Sequence, residues 1–273
     1  MIFDCGKFQL DLTTPRVMGI VNVTPDSFSD GGKYAATNLA IAHALKLAEE
    51  GAAVLDIGGE STRPNATPVS LQQELDRVIP VIEALIKQIN IPISIDTYKP
   101  QVMQAAIAAG ASMVNDVRAL QELGALDVVA KANVGLCLMH MQGTPQTMQL
   151  NPQYNNVLED VKSFLKVRLQ ASIHAGCRAS NILLDPGFGF GKTREHNITL
   201  IQQLESFTEL GQPLLVGLSR KSILGQVTGN DVDARLYASI AASVIAAMKG
   251  AKILRVHDVK ATVEALKVVS AIQ

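Results

Sequence analysis

Cysteine is scarce in this 273-residue chain: Cys5, Cys137 and Cys177 are widely spaced and odd in number. Such a set fits neither a disulfide framework nor a zinc pattern, and it predicts a reducing, cytoplasmic setting. Net charge is lacking too. The 24 basic and 25 acidic residues leave −1 at neutral pH, which argues against nucleic acid or a membrane surface as partner. Any anion site must therefore be local. The start, MIFDCGKFQLDL, has no basic stretch followed by an apolar one, so no secretory signal is expected. The most apolar segment, SIAASVIAAMKG (239–250), is too short to span a bilayer and is expected to pack on the protein body or on a partner subunit. No Pro/Ser-rich linker or low-complexity stretch divides the chain, which predicts a single domain over residues 1–273.

Apolar material is plentiful, at 48% of residues, enough for a large core. It is concentrated in eight short runs: VMGIVNV (17–23), AVLDIGG (53–59), ISIDT (93–97), MVNDV (113–117), VGLCLMH (134–140), ILLDPGF (182–188), PLLVGLS (213–219) and KILRVHD (252–258). Val, Ile and Leu dominate them without clean alternation, as expected of parallel strands buried on both faces. Each run ends in polar or charged residues. Between them lie helix signals, beginning after Thr37 and, in the second case, at a Ser70…Gln73 capping box. Pro80 is expected to bend that second helix. Eight alternating strands and helices in a chain near the usual length of about 250 residues predict an α/β fold, a (β/α)₈ TIM barrel. Residues 2–13, with Gly6-Lys7 between two short alternating runs, predict an N-terminal β-hairpin over the barrel's N-terminal mouth.

In such a barrel the C-terminal strand ends converge on one rim, and catalytic residues come from several strands. Asn22, Asp56, Asp96, Asn115, Asp116, His140, Asp185, Ser219, Arg255 and His257 occupy those ends. Two loops over the rim are long and polar: 22–38, with Phe28, and 58–70, with Thr62 and Arg63. Their length and composition suggest a lid. Anion-binding capacity collects late, in Ser219-Arg220-Lys221-Ser222 and in Arg255 with His257, which share one face of the last strand. The loops after strands 7 and 8 are where barrel enzymes often hold phosphate. Asp96, Asn115 and Asp185 offer paired acceptors and donors that suit a flat heterocycle with ring N–H and amino groups. PGFGFGKT (186–193) fails as a phosphate loop because Pro186 stands where glycine is required. Its glycines let backbone approach a ligand, and Phe188 and Phe190 offer ring surfaces. His140 and Cys137 lack metal-ligand spacing, Met139 and Met141 are expected to fill pocket or core, and His43, His174 and His196 to lie at the surface.

Taken together and in order, MGIVNVTPDSFSDGG (18–32), DIGGESTRP (56–64), ISIDT (93–97), NDVRAL (115–120), LMHMQGTP (138–145), LLDPGFGFGKT (183–193), VGLSRKSILG (216–225) and RVHDV (255–259) resemble the dihydropteroate synthase family, from about residue 16 to 270. The resemblance implies a folate-pathway transferase of pterin-binding type. It would join 4-aminobenzoate to 7,8-dihydropterin-6-ylmethyl diphosphate, giving 7,8-dihydropteroate and diphosphate. Position by position it implies a pterin pocket of Asp96, Asn115, Asp185 and Lys221, with Arg255 stacked on the ring and reaching the diphosphate. Thr62 and His257 would contact the diphosphate, and Asn22 would bind Mg²⁺. Phe28, Arg63, Pro64, Phe190, Lys221 and Ser222 would surround 4-aminobenzoate, where sulfonamides compete, and Asp30 and Arg63 would order with the diphosphate. Asp96, Lys221, Arg255, Asp30 and Arg63 would carry catalysis. A homodimer through helices in 233–249 and 258–271 is also implied.

The chemistry suits these residue types. Diphosphate leaves readily once cations take up its charge, and the carbon it leaves is conjugated to a ring that can share positive charge. An aromatic amine is neutral at pH 7, so no Ser–His or Cys–His pair is required. The expectation is an S_N1-like substitution. Asn65 and Tyr98 depart from the family pattern, where glycine and serine are usual. Two alternatives remain: a pterin-binding methyltransferase acting on methyl-tetrahydrofolate, which needs no diphosphate cluster, and a non-catalytic pterin-binding paralogue, which should have lost Asn22, Arg63 or Lys221.

Overall fold

A computed structural model describes residues 1–23, 32–62 and 66–272. Two strands, β1 (Ile2–Cys5) and β2 (Phe8–Asp11), pair antiparallel around Gly6-Lys7 as the expected hairpin. Among the described residues, eight further strands close into a parallel barrel: β3 (Arg16–Asn22), β4 (Val54–Gly58), β5 (Ile93–Asp96), β6 (Met113–Asp116), β7 (Gly135–Met139), β8 (Ile182–Asp185), β9 (Leu214–Val216) and β10 (Ala251–Val256). β10 pairs with both β9 and β3, which completes the ring. Helices α1 (Gly32–Glu49), α2 (Leu71–Leu85), α3 (Pro100–Ala109), α4 (Ala125–Ala132), α5 (Val157–His174), α6 (Arg194–Gln202), α7 (Ser222–Thr228), α8 (Leu236–Met248) and α9 (Val259–Ile272) lie between and after the strands.

Local chemistry fixes the helix ends. Ser70 accepts from the Gln73 amide while the Gln73 side chain returns to the Ser70 amide, the predicted capping box. Asn156 accepts from Leu158 and Glu159 at the start of α5. Pro100 opens α3 and Gly110 closes it in the left-handed region, at φ 114°.

Three expectations need correction. α1 begins at Gly32, before Thr37, so residues 32–38 belong to the helix rather than to the preceding loop. A short helix, α7, follows Lys221, where no periodicity was long enough to predict one. His43 and His196 are half-buried, not surface residues: His196 bonds back to the Thr193 amide and its ring packs against Tyr154, with centroids 4.9 Å apart.

Alternation along each strand separates two environments. Leu55, Ile57, Ile95, Val114, Leu136, Leu184, Val216 and Leu254 pack outward in the main core. The inward positions change character with height. Met18, Val54, Met113, Cys137, Leu183, Leu215 and Ile253 form a separate apolar cluster with Phe3, Cys5 and Leu12. The hairpin thus plugs the lower mouth, as predicted. Gly135 leaves room for it: a Cβ there would come within 2.8 Å of the Phe3 ring. Two residues further along, the inward positions become Asp56, Asp185 and Arg255. Phe3 is fully buried, so Phe3→Ala is expected to lower the unfolding free energy by about 3–5 kcal/mol in urea denaturation. An unchanged midpoint would mean the plug does not seal the lower core.

Candidate active site

Register places the polar layer. Asn22 pairs with Gly58, Gly58 with Asp96, and Asp96 with Asn115, so these residues stand at one height around the rim. Asp56, one inward step below Gly58, is fully buried. Its Oδ2 accepts from Asn115 Nδ2 at 3.0 Å and from Arg255 Nε at 2.6 Å. Arg255 Nη2 donates to Asp96 Oδ2 at 2.6 Å. One guanidinium therefore spans two carboxylates, and one carboxylate orients both an arginine and an amide. Asp56 Oδ1 and Asp96 Oδ1 are buried acceptors with no partner among the described residues, which favours a hydrogen-bond donor from a ligand.

The neighbouring strands complete the site. Asp185, buried at the end of β8, accepts from the Gly187 amide at 2.7 Å. Lys221, half-buried after β9, donates to the Phe188 carbonyl, and its Nζ lies 4.7 Å from the Phe190 ring centroid. Ser219 Oγ and His257 Nδ1 are 3.0 Å apart, and the His257 amide donates to the same hydroxyl at 3.2 Å. Arg220, read from sequence as part of the anion cluster, is turned elsewhere. It adopts φ +58°, and its Nη2 and Nε bond both oxygens of Asp258 at 2.6 and 3.1 Å, tying the loops after β9 and β10 together.

Burial sets the electrostatics. It pushes the Asp96 carboxyl up to about 7, with Asp56 adding repulsion while Arg255 pulls the other way. Burial pushes Lys221 down to about 8 against the attraction of Asp185. Asp185 is also raised by burial, with Lys221 opposing. For Arg255 burial works against the charge, but Asp56 and Asp96 outweigh it and hold the guanidinium protonated.

The structure thus brings Asp96, Asn115 and Arg255 into one bonded network, and sets Asp185, Lys221, Phe190, Ser219 and His257 on the adjoining strand ends. Ser222 is exposed at the start of α7, with Lys221 at its N-cap. Thr62 is half-buried on the loop after β4 and bonds none of these groups among the described residues. Glu60 anchors that loop. It accepts from Lys99, which also bonds Glu74 at 2.5 Å, and from the Val69 amide at 3.3 Å. Tyr98 lies beside this anchor, its hydroxyl 3.4 Å from Glu60 and its ring between Lys99 and Arg118. Phe28, Asp30, Arg63, Pro64 and Asn65 lie outside the described residues. Asp56 was visible as a strand end but received no role. Its signal was the inward spacing of Asp56 and Gly58 on a strand opposite Arg255.

Comparison with known proteins identifies the family. The family model described as pterin binding enzyme matches residues 18–257. A dihydropteroate synthase of Haemophilus influenzae is 51% identical over 259 residues, covering 95% of this chain and 94% of that protein. The chain belongs to the dihydropteroate synthase family. Two solved structures of the family from Xanthomonas albilineans superpose closely on it. The one with 4-aminobenzoic acid is 53% identical, with a TM-score of 0.95 over 100% of this chain and 98% of the other. The one in complex with 7,8-dihydropteroate is 50% identical, with a TM-score of 0.92 over 100% of this chain and 99% of the other.

In a family member whose rim depends on Asp56, removing that carboxylate takes the acceptor from the buried Asn115 amide and leaves Arg255 with Asp96 alone. Asp56→Ala is expected to lower the unfolding free energy by about 3–5 kcal/mol at pH 7, the scale of breaking a buried ion pair. A denaturation midpoint equal to wild type would show that Arg255 and Asn115 find other partners.

Proposed function

We propose that the chain is a dihydropteroate synthase, joining 4-aminobenzoate to 7,8-dihydropterin-6-ylmethyl diphosphate with release of diphosphate. The observation that carries this reading is the meeting of a heterocycle-binding floor with a cationic wall. Asp96, Asn115 and Asp185 supply acceptors and an amide for the pterin edge, while Arg255, Lys221 and His257 supply positive charge and donors for the leaving group. The C–O bond between the pterin methylene and diphosphate breaks with its electron pair going to the diphosphate oxygen. The resulting cation is delocalised into the pterin ring, where the Asp96 carboxylate stabilises it. The aniline lone pair then forms the C–N bond, and the amine proton leaves to solvent or diphosphate. This is S_N1-like substitution by electrostatic catalysis. A methyltransferase would have no use for the cations gathered after β9 and β10, and a non-catalytic paralogue no reason to keep Lys221.

Mg²⁺ belongs to the same reading. A side chain at Gly58 would put its Cβ 3.7 Å from Asp96 Oδ2 and 3.8 Å from Asn22 Oδ1, so the glycine leaves an oxygen-lined space between the two residues. Among the described residues no cluster of three His, Cys, Asp or Glu offers a metal cage. That fits a Mg²⁺ held by the Asn22 amide oxygen together with substrate phosphates and waters. Bound there, the ion would neutralise charge on the departing diphosphate.

Phe190, Lys221 and Ser222, with Phe28, Arg63 and Pro64, are assigned to 4-aminobenzoate and to competing sulfonamides, and Asp30, Arg63, Thr62 and His257 to the diphosphate. The partners proposed are small molecules and a second copy of the chain. Tyr237, Ile245 and Met248 on α8 and Val268 and Ile272 on α9 are exposed apolar residues on two helices that pack together, a surface suited to a homodimer. Light scattering of the purified chain should then give twice the 29.1 kDa monomer mass. No described helix is long and apolar enough to cross a membrane, and the three cysteines are free thiols, in keeping with a cytoplasmic location.

Purified protein with Mg²⁺ and both substrates should release diphosphate in step with dihydropteroate, detected by mass. Pterin binding without turnover would sink the assignment. Asp96→Asn should lower kcat by about a hundredfold or more, far more than it weakens pterin diphosphate binding, whereas a rise in KM alone would remove the cation-stabilising role. The pH dependence of kcat/KM follows from the two shifted groups. The Asp96 carboxylate is lost as pH falls through about 7 and the Lys221 ammonium as pH rises through about 8, so the profile should be a narrow bell whose acid limb vanishes in Asp96→Asn. Asn22→Ala should raise the Mg²⁺ concentration needed for half-maximal rate; an unchanged requirement would place the ion elsewhere.

A further inference from the structure

Lys192 is one of the most buried charged residues of the chain, only 3% exposed, and the chemistry above gives it no task. Its Nζ is held by the Gly187 carbonyl at 2.8 Å, His140 Nδ1 at 2.9 Å and the Phe190 carbonyl at 3.1 Å. With the His140 carbonyl at 3.5 Å, four acceptors surround an ammonium that has three N–H donors, and they hold it there although burial drives its pKa well below the ordinary lysine range. With Nδ1 accepting, His140 is neutral and carries its proton on Nε2. Burial, and then the charge of Lys192, push the imidazole down to about 2, in agreement with that role. The His140 ring is itself wedged, with Phe164 edge-on at 4.9 Å and Tyr154 at 6.0 Å between centroids.

The segment Lys192 grips is the one Lys221 rests on. Gly187 and Phe190 bracket Phe188 and Gly189. The Phe188 carbonyl accepts from Lys221, the Phe190 ring lies under the same ammonium, and a Cβ on Gly189 would be 3.4 Å from Lys221 Cδ. The backbone there is pressed against the segment after β7. Gly187, at φ +70°, would place a Cβ 1.8 Å from the His140 carbonyl oxygen, and Gly191, at φ +64°, 2.6 Å from that of Gln142. Other bonds also hold this loop: Tyr154 donates to the Gly191 carbonyl at 2.7 Å, the Gly189 amide to Asn197 Oδ1 at 2.7 Å, and Gln149 Nε2 to the Gly189 carbonyl at 2.5 Å. Among the described residues, Lys192 is the side chain that joins the carbonyls of Gly187 and Phe190 to His140.

We propose that Lys192 is a positioning residue for the amine-accepting side of the site: it fixes Phe190 and the Phe188 carbonyl, and through them Lys221. The proposal rests on the synthase reading above. A charge buried among carbonyls is a poor stabiliser, since an apolar residue of similar volume fills such a place without desolvating an ammonium. Its value here is geometric.

Lys192→Met separates the two. The variant should match or exceed the wild-type denaturation midpoint, yet its KM for 4-aminobenzoate should rise by about tenfold, with kcat and the pterin diphosphate KM nearly unchanged. In a Phe190→Leu background the same substitution should add little, because the residue it positions is gone. An unchanged 4-aminobenzoate KM, or kcat and both KM values worsening in step with lost folded protein, would overturn the proposal. A second readout needs no turnover. The chain has no tryptophan, so Phe190→Trp introduces a lone indole at the loop. Acrylamide quenching of that indole should increase when Lys192→Met is added, and no increase would overturn the anchor whatever the activity. Increased quenching in a protein whose wild type makes no dihydropteroate would uphold the anchor and overturn the synthase reading instead.

Discussion

The Asp56 carboxylate, with no exposure to solvent, receives both the Arg255 guanidinium and the Asn115 amide on a single oxygen. Much of the upper barrel depends on that convergence. Three strands that share no hydrogen bonds with one another are joined through it, and Arg255 extends the junction to a second carboxylate at Asp96. A charge network of this kind seldom adds net stability, because desolvation offsets the attraction. What it supplies is a fixed array of acceptors and donors. Because they are set before any ligand arrives, no reorganisation is needed when charge separates in the transition state.

The same logic recurs at Lys192. There the buried cation is met by carbonyls and a neutral imidazole, and the object held is a loop rather than a side chain. At Lys99 an ammonium shared by Glu60 and Glu74 anchors the base of the loop after β4. Three parts of the rim are thus each held by a buried or half-buried cation that bonds at least one distant part of the chain.

How much of this was legible in sequence depended on the range of the interaction. The barrel and its strands were readable, since Val/Ile/Leu runs bounded by polar ends are a local signal, as were the Ser70 capping box and the Gly6-Lys7 hairpin. The motif order disclosed the family, and with it Asp96, Asn115, Asp185 and Lys221. The loop 22–38 was over-read because Asp, Ser and Gly obscured a helix beginning at Gly32. Arg220 was over-read because nothing local tells an arginine facing a ligand from one facing Asp258, 38 positions away. Asp56 and the Lys192–His140 contact were missed for the same reason: each is defined by a partner from a distant run, and spacing along the chain does not encode it.

One consequence follows from the stratified interior. The apolar lower layer and the charged upper layer are carried by the same strands, Val54 and Asp56 on β4, Leu183 and Asp185 on β8, Ile253 and Arg255 on β10, each pair two residues apart. Side chains on a strand alternate faces, so inserting or deleting one residue within a strand would turn both layers inside out at once, sending a carboxylate toward the helices and a leucine toward the substrate. The strands are therefore closed to length variation, in inheritance and in the laboratory alike. Changes of length that preserve the protein must fall in its connections, whereas change within a strand must come by replacement at constant length.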